Sequence, residues 1–120
     1  MPKAVGNWSL LNFGEGRNLE LDFTDSLADG DAVNTLTDWG ISVAVGADPT
    51  PGNRILPVPT LTGNKTQQRF TALPNGSGII VYLLWADVVT QNGEPIKLWS
   101  YLPCAAPGTC LPPGVMNGLC

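Results

Sequence analysis

Residues 79–90 read IIVYLLWADVVT and residues 95–102 read PIKLWSYL, with Gln91-Asn92-Gly93-Glu94 between them. Two apolar runs around an Asn-Gly step predict a β-hairpin, because tight hairpin turns need residues that tolerate positive φ. The first run hardly alternates. Tyr82, Leu84, Ala86 and Val88 make one face; Val81, Leu83, Trp85 and Val89 make the other, with Asp87 its single charge. An antiparallel strand with one wet side alternates apolar and polar residues. A strand apolar on both sides either lies between two layers of its own domain or has its second face covered by another protein. A chain of 120 residues has little room for the first arrangement. The hairpin therefore predicts assembly, with Tyr82, Leu84, Ala86 and Val88 in the core. Val81, Leu83, Trp85 and Val89 form the interface, with Trp99 from the second run. The register stays open at this level. A two-residue Asn92-Gly93 turn sets Val88 opposite Lys97 and Ala86 opposite Trp99. A bulge at Pro95 shifts every pair by one and turns Trp99 to the other face.

Outward from the hairpin, strand signals recur between turn signals. Trp8 to Phe13 reads as a first strand or an N-terminal arm, within an arm region of residues 1–15. Leu19 to Thr24 alternates cleanly, with Leu21 and Phe23 on the core side. After an Asp/Gly-rich turn, Val33 to Val45 resumes as a strand in which Trp39, Ile41, Val43 and Val45 share a face, with Trp39, Ile41 and Val43 expected in the core. Arg54 to Leu61 holds Pro57 and Pro59, each lacking a ladder donor, and reads as an edge strand or an extended loop. Thr66 to Leu73 is a further strand with Phe70 and Ala72 inward. Helical periodicity is nearly absent. Several short strands with turns between them predict an all-β sandwich spanning residues 16–102. Residues 103–120, PCAAPGTCLPPGVMNGLC, carry no charge and many prolines and glycines. That segment reads as an extended tail that lies on a protein surface.

Bulk composition excludes several functions. Lys+Arg 6 against Asp+Glu 10 gives a net charge of -4, which argues against nucleic acid as a partner. Eight of the acids precede Asn53, a distribution that surface solubility explains for most of them. Charged residues make up 13% of the chain, well below the roughly 25% usual in soluble domains. That deficit suits a protein with part of its surface covered. No apolar run reaches membrane-span length and no signal-peptide core is present, so the expected setting is a cytoplasm, with no membrane partner.

The chemistry-bearing residues are sparse. Histidine is missing, which removes most nucleophilic triads and the usual general base near neutral pH. Glu15, Glu20, Asp22 and Asp38 have no context that would pair them as catalytic carboxylates. The run Asp25 to Asp31 has the look of a calcium loop, but Leu27 and Leu36 occupy two ligand positions of such a loop. It reads as an Asp-capped turn. Cys104, Cys110 and Cys120 all fall near the end of the chain. They are candidates for a disulfide, including one to a neighbouring subunit, since an odd number cannot all pair within one chain. The expectation is a protein without enzymatic activity, cofactor or metal.

The order of several short motifs resembles the small tailed-phage fibre–tail adaptor proteins. Asp22-Phe23-Thr24, the turn Leu27-Ala28-Asp29-Gly30-Asp31 and Trp39-Gly40-Ile41 hold the places of that family's opening half. Tyr82, Leu84, Ala86 and Val88, followed by Gln91-Asn92-Gly93, hold those of its closing half. The likeness covers about residues 16–102. The middle, Asp48 to Leu73, lacks the family's Gly-Gly segment, and the cysteine-bearing tail is additional. The resemblance implies an immunoglobulin-like antiparallel β-sandwich in a virion, multimeric and without catalysis. On that footing the chain is expected to dock in the tail, neck or fibre attachment, with other virion proteins and copies of itself as partners, assembled in a host cytoplasm. Two alternatives stand beside it: a capsid decoration or collar protein, and a carbohydrate-binding sandwich whose Trp85 or Trp99 stacks on sugar.

Overall fold

The computed structural model describes residues 2–4, 8–56, 58–74, 76 and 78–106. Eight strands run in order: β1 (Pro2–Ala4), β2 (Leu11–Asn12), β3 (Gly16–Asp22), β4 (Val33–Val45), β5 (Thr60–Thr62), β6 (Lys65–Thr71), β7 (Ile79–Thr90) and β8 (Pro95–Ala105). Short 3-10 turns occupy Thr24–Ser26 and Pro51–Arg54. One sheet has the order β1-β8-β7-β4 with β2 also on β8, and the other has β3-β6-β5. The two pack face to face as an all-β sandwich. The β3-β6-β5 and β4-β7-β8 groupings follow the strand arrangement of an immunoglobulin-like domain.

Alternation sets which residues lie between the sheets. Leu19 and Leu21 of β3 point inward while Glu20 and Asp22 point out. Phe23, Phe70 and Tyr82 are fully buried, and Phe70 meets Tyr82 edge-on with ring centroids 5.1 Å apart. Leu84, Ala86 and Val88 of β7 are buried with them, as expected for the core face of the hairpin. Ile41 and Val43 are partly buried and pack against this core. Trp8 packs against both halves of the core. It is held there by its backbone N–H, which donates to Tyr101 O at 3.0 Å, while Arg17 donates to the Ser9 and Leu10 carbonyls.

Three expectations need correction. First, Trp39 is not core. It is 36% exposed. Its strand β4 is the edge of its sheet, and the facing edge β5 is only three residues long. Trp39 therefore sits at the open side of the sandwich beside Pro59 and Thr66. Second, the sandwich is not purely antiparallel. The arm runs beside β8 in the same direction, and β1 and β2 both pair with it in parallel. Third, residues 103–105 belong to β8 and not to a tail. Pro103 is tolerated because Tyr101 turns its carbonyl to the arm, so the Pro103 nitrogen two residues on faces the same side. It falls in the gap where β1 has left β8 at Trp99 and β2 joins only at Cys104.

The structure settles the hairpin register that the sequence leaves open. Asn92 does not take positive φ; only glycines do among the described residues, Gly93 at +84°. Gly93 N donates to Thr90 O, and Thr90 N donates to Glu94 O. The loop is thus Gln91-Asn92-Gly93, a turn closed by a left-handed glycine, and not a two-residue turn. The added residue puts Val88 opposite Ile96, Ala86 opposite Leu98 and Trp85 opposite Trp99.

Candidate functional site

That one-residue shift builds the site. With Trp85 opposite Trp99 and Leu83 opposite Tyr101, four large apolar side chains come together on the outer face of the hairpin. Leu83, Trp85, Lys97, Trp99 and Tyr101 line a shallow open groove of about 430 Å³. Trp99 and Tyr101, two apart on β8, meet edge-on at 5.7 Å and 82°. On the β4 side Gly40 is in register with Trp85 and leaves the room its indole occupies.

The polar groups sit at one end. Lys97 Nζ lies 3.7 Å from Asp87 Oδ2, an ion pair with both side chains partly exposed. Asp87 Oδ1 is buried and has no hydrogen-bond partner among the described residues. Asp38 is in register with Asp87 on the β4 side, so the two carboxylates flank each other across the strands. Like charges so placed oppose each other, and Lys97 offsets the repulsion.

The interface residues expected from sequence divide under this geometry. Leu83, Trp85 and Trp99 line the groove. Val89 is half-buried near the loop end and outside it. Val81 is 2% exposed, enclosed where it is flanked by Val45 and Pro103, so it offers no surface to a partner. Tyr101 and Lys97 line the groove without having been expected there. Their membership follows from the strand parity of Trp99, once the hairpin loop is given its third residue.

Buried chemistry elsewhere is structural. The Tyr82 hydroxyl donates to Asp48 Oδ2 at 2.7 Å, Thr50 N donates to Asp48 Oδ1, and Arg54 Nε stands 3.6 Å from Asp48 Oδ2. This cluster fastens the turn after β4 onto β7. Burial, reinforced by the hydrogen bond to Asp48, pushes the Tyr82 phenol far above the usual tyrosine range. Cys104 is a free thiol with no exposure, and burial pushes it up to about 12. The folded domain thus closes Cys104 to solvent, and Cys110 and Cys120 lie outside the described residues. The acids of the β3–β4 turn serve as caps: Asp22 accepts from Thr24 N, and Asp31 from Ala32 N and Asn92 N. Among the described residues no cluster of Cys, Asp and Glu is grouped to hold a metal, and no helix is long and apolar enough to cross a membrane.

No protein-family model matches the chain, and no curated protein matches it at a significant level.

Proposed function

We propose that this chain is a non-enzymatic structural component of a bacteriophage particle, an adaptor that docks in the tail, neck or fibre attachment. The observation that carries the docking role is the outer groove of the hairpin. Two tryptophans, a tyrosine and a leucine stand together on a sheet face that the chain's own second layer does not cover. Buried aromatics of this kind dominate the energetics of protein interfaces. The placement in a phage particle rests on the resemblance of residues 16–102 to the fibre–tail adaptors, and the immunoglobulin-like strand arrangement supports it.

The groove's chemistry favours protein over sugar. A saccharide needs several hydrogen-bonding groups around its stacking platform. Here the lining offers Lys97 and the Tyr101 hydroxyl, against two indoles and a leucine.

The test has two parts. Mass spectrometry of purified particles from the producing host should find the chain at fixed stoichiometry. Trp85→Ala should then lower its incorporation while the purified variant still melts cooperatively. A chain absent from particles would sink the virion assignment. Normal incorporation of the Trp85→Ala and Trp99→Ala variants would sink the docking face.

A further inference from the structure

We infer that Asn92 is a site of spontaneous covalent modification, converted to an aspartyl or isoaspartyl residue through a succinimide, and that the folded hairpin loop holds the reaction back until its tip opens.

The chemistry is set by the pair Asn92-Gly93. The backbone nitrogen of Gly93 attacks Asn92 Cγ. The N–Cγ bond forms, the Cγ–Nδ2 bond breaks, and Nδ2 leaves as ammonia with the proton that the Gly93 amide gives up. Water then adds to one of the two ring carbonyls and opens the ring. One opening leaves an aspartyl residue. The other leaves an isoaspartyl residue, whose main chain is longer by Cβ. Glycine after asparagine favours the closure because no Cβ crowds the attacking nitrogen. Asn92 and Gly93 are both exposed, so water and base reach them.

The folded loop opposes the closure. Gly93 N donates to Thr90 O at 3.0 Å, so the proton of the attacking nitrogen is held by the end of β7. Asn92 N donates to Asp31 Oδ1 at 3.2 Å, and Gln91 N donates to Ala32 O at 2.8 Å. Glu94 N donates to Thr90 Oγ1 at 3.1 Å. The peptide planes on both sides of Asn92 are thereby fixed. Ring closure needs the Asn92–Gly93 plane to rotate, which breaks the Gly93 bond first. The reaction then proceeds only from the fraction of molecules whose loop is open.

Conversion acts back on the groove. The bond from Gly93 N to Thr90 O closes a loop of three residues, and that count sets Trp85 opposite Trp99. An isoaspartyl link adds a main-chain carbon inside the loop and displaces the bond. Both products also place a carboxylate beside Asp31 and Glu94, where like charges oppose each other.

The experiment holds the full-length chain at mildly alkaline pH, one portion native and one in guanidinium chloride. Peptide mapping with fragmentation follows position 92 separately from Asn75-Gly76 and Asn117-Gly118. The unfolded chain should convert with release of ammonia, and the native chain at least ~10-fold more slowly, as expected where only the open fraction reacts. Asp31→Ala, which frees Asn92 N, should raise the native rate by ~3–10-fold and leave the unfolded rate unchanged. Thermal melts establish that this variant is folded; Thr90→Val, which removes the acceptor of Glu94 N, replaces it if it is not. Chains converted while unfolded and then refolded should melt lower and show shifted tryptophan emission, more so than Asn92→Asp, which adds the charge alone. Absence of conversion at position 92 in the unfolded chain would overturn the site. A native rate equal to the unfolded one, or one that the folded loop variant leaves unchanged, would overturn the restraint by the loop. Equal melts and emission for isoaspartyl and unmodified chains would overturn the link to the groove.

Discussion

The benzo ring of Trp85 occupies the place a side chain at Gly40 would take, on the neighbouring strand and directly in register. A glycine inside a strand ordinarily weakens it by about 0.5–1 kcal/mol relative to alanine. Here the missing Cβ lets the indole lie against the backbone and form the groove wall. Gly40 does not have positive φ, so the constraint is space and not backbone conformation. Gly40→Ala should therefore destabilise the chain, by ~1–3 kcal/mol as overpacking does, where an ordinary strand glycine would show a gain. A urea melt with a parallel fluorescence spectrum reads both effects, and a stabilised variant with unchanged Trp emission would refute the packing.

Gly93 is the second glycine with a defined duty. At φ +84° it closes the hairpin loop and, through that loop, sets Trp99 opposite Trp85. Asparagine tolerates this region, alanine less well and valine poorly. Stability should fall in the order Gly93, Asn, Ala, Val, with the valine variant losing ~2 kcal/mol or more. Equal melting temperatures for the alanine and valine variants would contradict this.

Trp39 and Phe23 test which aromatic holds the sandwich. Phe23 has no exposure, and Phe23→Ala should cost ~3–5 kcal/mol, comparable to the whole stability of a small domain. Trp39, 36% exposed at the open side, should cost ~1–2 kcal/mol on replacement by alanine, since only part of its surface is removed from water. Denaturant melts of the pair check the ranking; the reverse order would put Trp39 back in the core.

Much of this fold was legible in the sequence because it is written in alternation. Leu19, Leu21 and Phe23, Ile41 with Val43, and Phe70 with Ala72 stand where period-two patterning puts them. Where patterning says nothing of the third dimension, it failed. Trp39 has the correct parity for the core, but parity does not tell that the facing strand stops short. Val81 has the parity of the outer face and is enclosed all the same. Half of the groove turned on a single residue in the hairpin loop. Asn-Gly fits both a two-residue turn and a three-residue turn ending in Gly93, and the local sequence carries too little energy difference to choose. The parallel arm was hidden because Trp8 and Leu11 belong to no alternating run long enough to read.

Alkaline pH gives a last test, of the buried pair Cys104 and Tyr82. Both side chains sit between the sheets without exposure. Burial holds the Cys104 thiol protonated up to about 12, against an ordinary value of 9.0. The Tyr82 phenol is likewise held above its ordinary 10.0, by burial first and then by its hydrogen bond to Asp48. For both groups the folded value is the higher one, so their contribution is complete below the unfolded values. As pH rises past 9.0 the unfolded chain ionises its cysteine while the folded chain does not, and unfolding releases a proton. Stability should then fall by at most ~1.4 kcal/mol per pH unit from this group, and more steeply once tyrosine joins above about 10. Urea melts at about pH 8, 9.5 and 10.5 should show the decline, and Cys104→Ala should make it shallower between about pH 9 and 10. The native thiol should also resist an alkylating reagent until the chain unfolds, because the thiolate is the reactive form and the site is closed. Rapid alkylation of Cys104 at about pH 8, or a wild-type stability that is flat across this range, would show that the end of β8 is open to solvent.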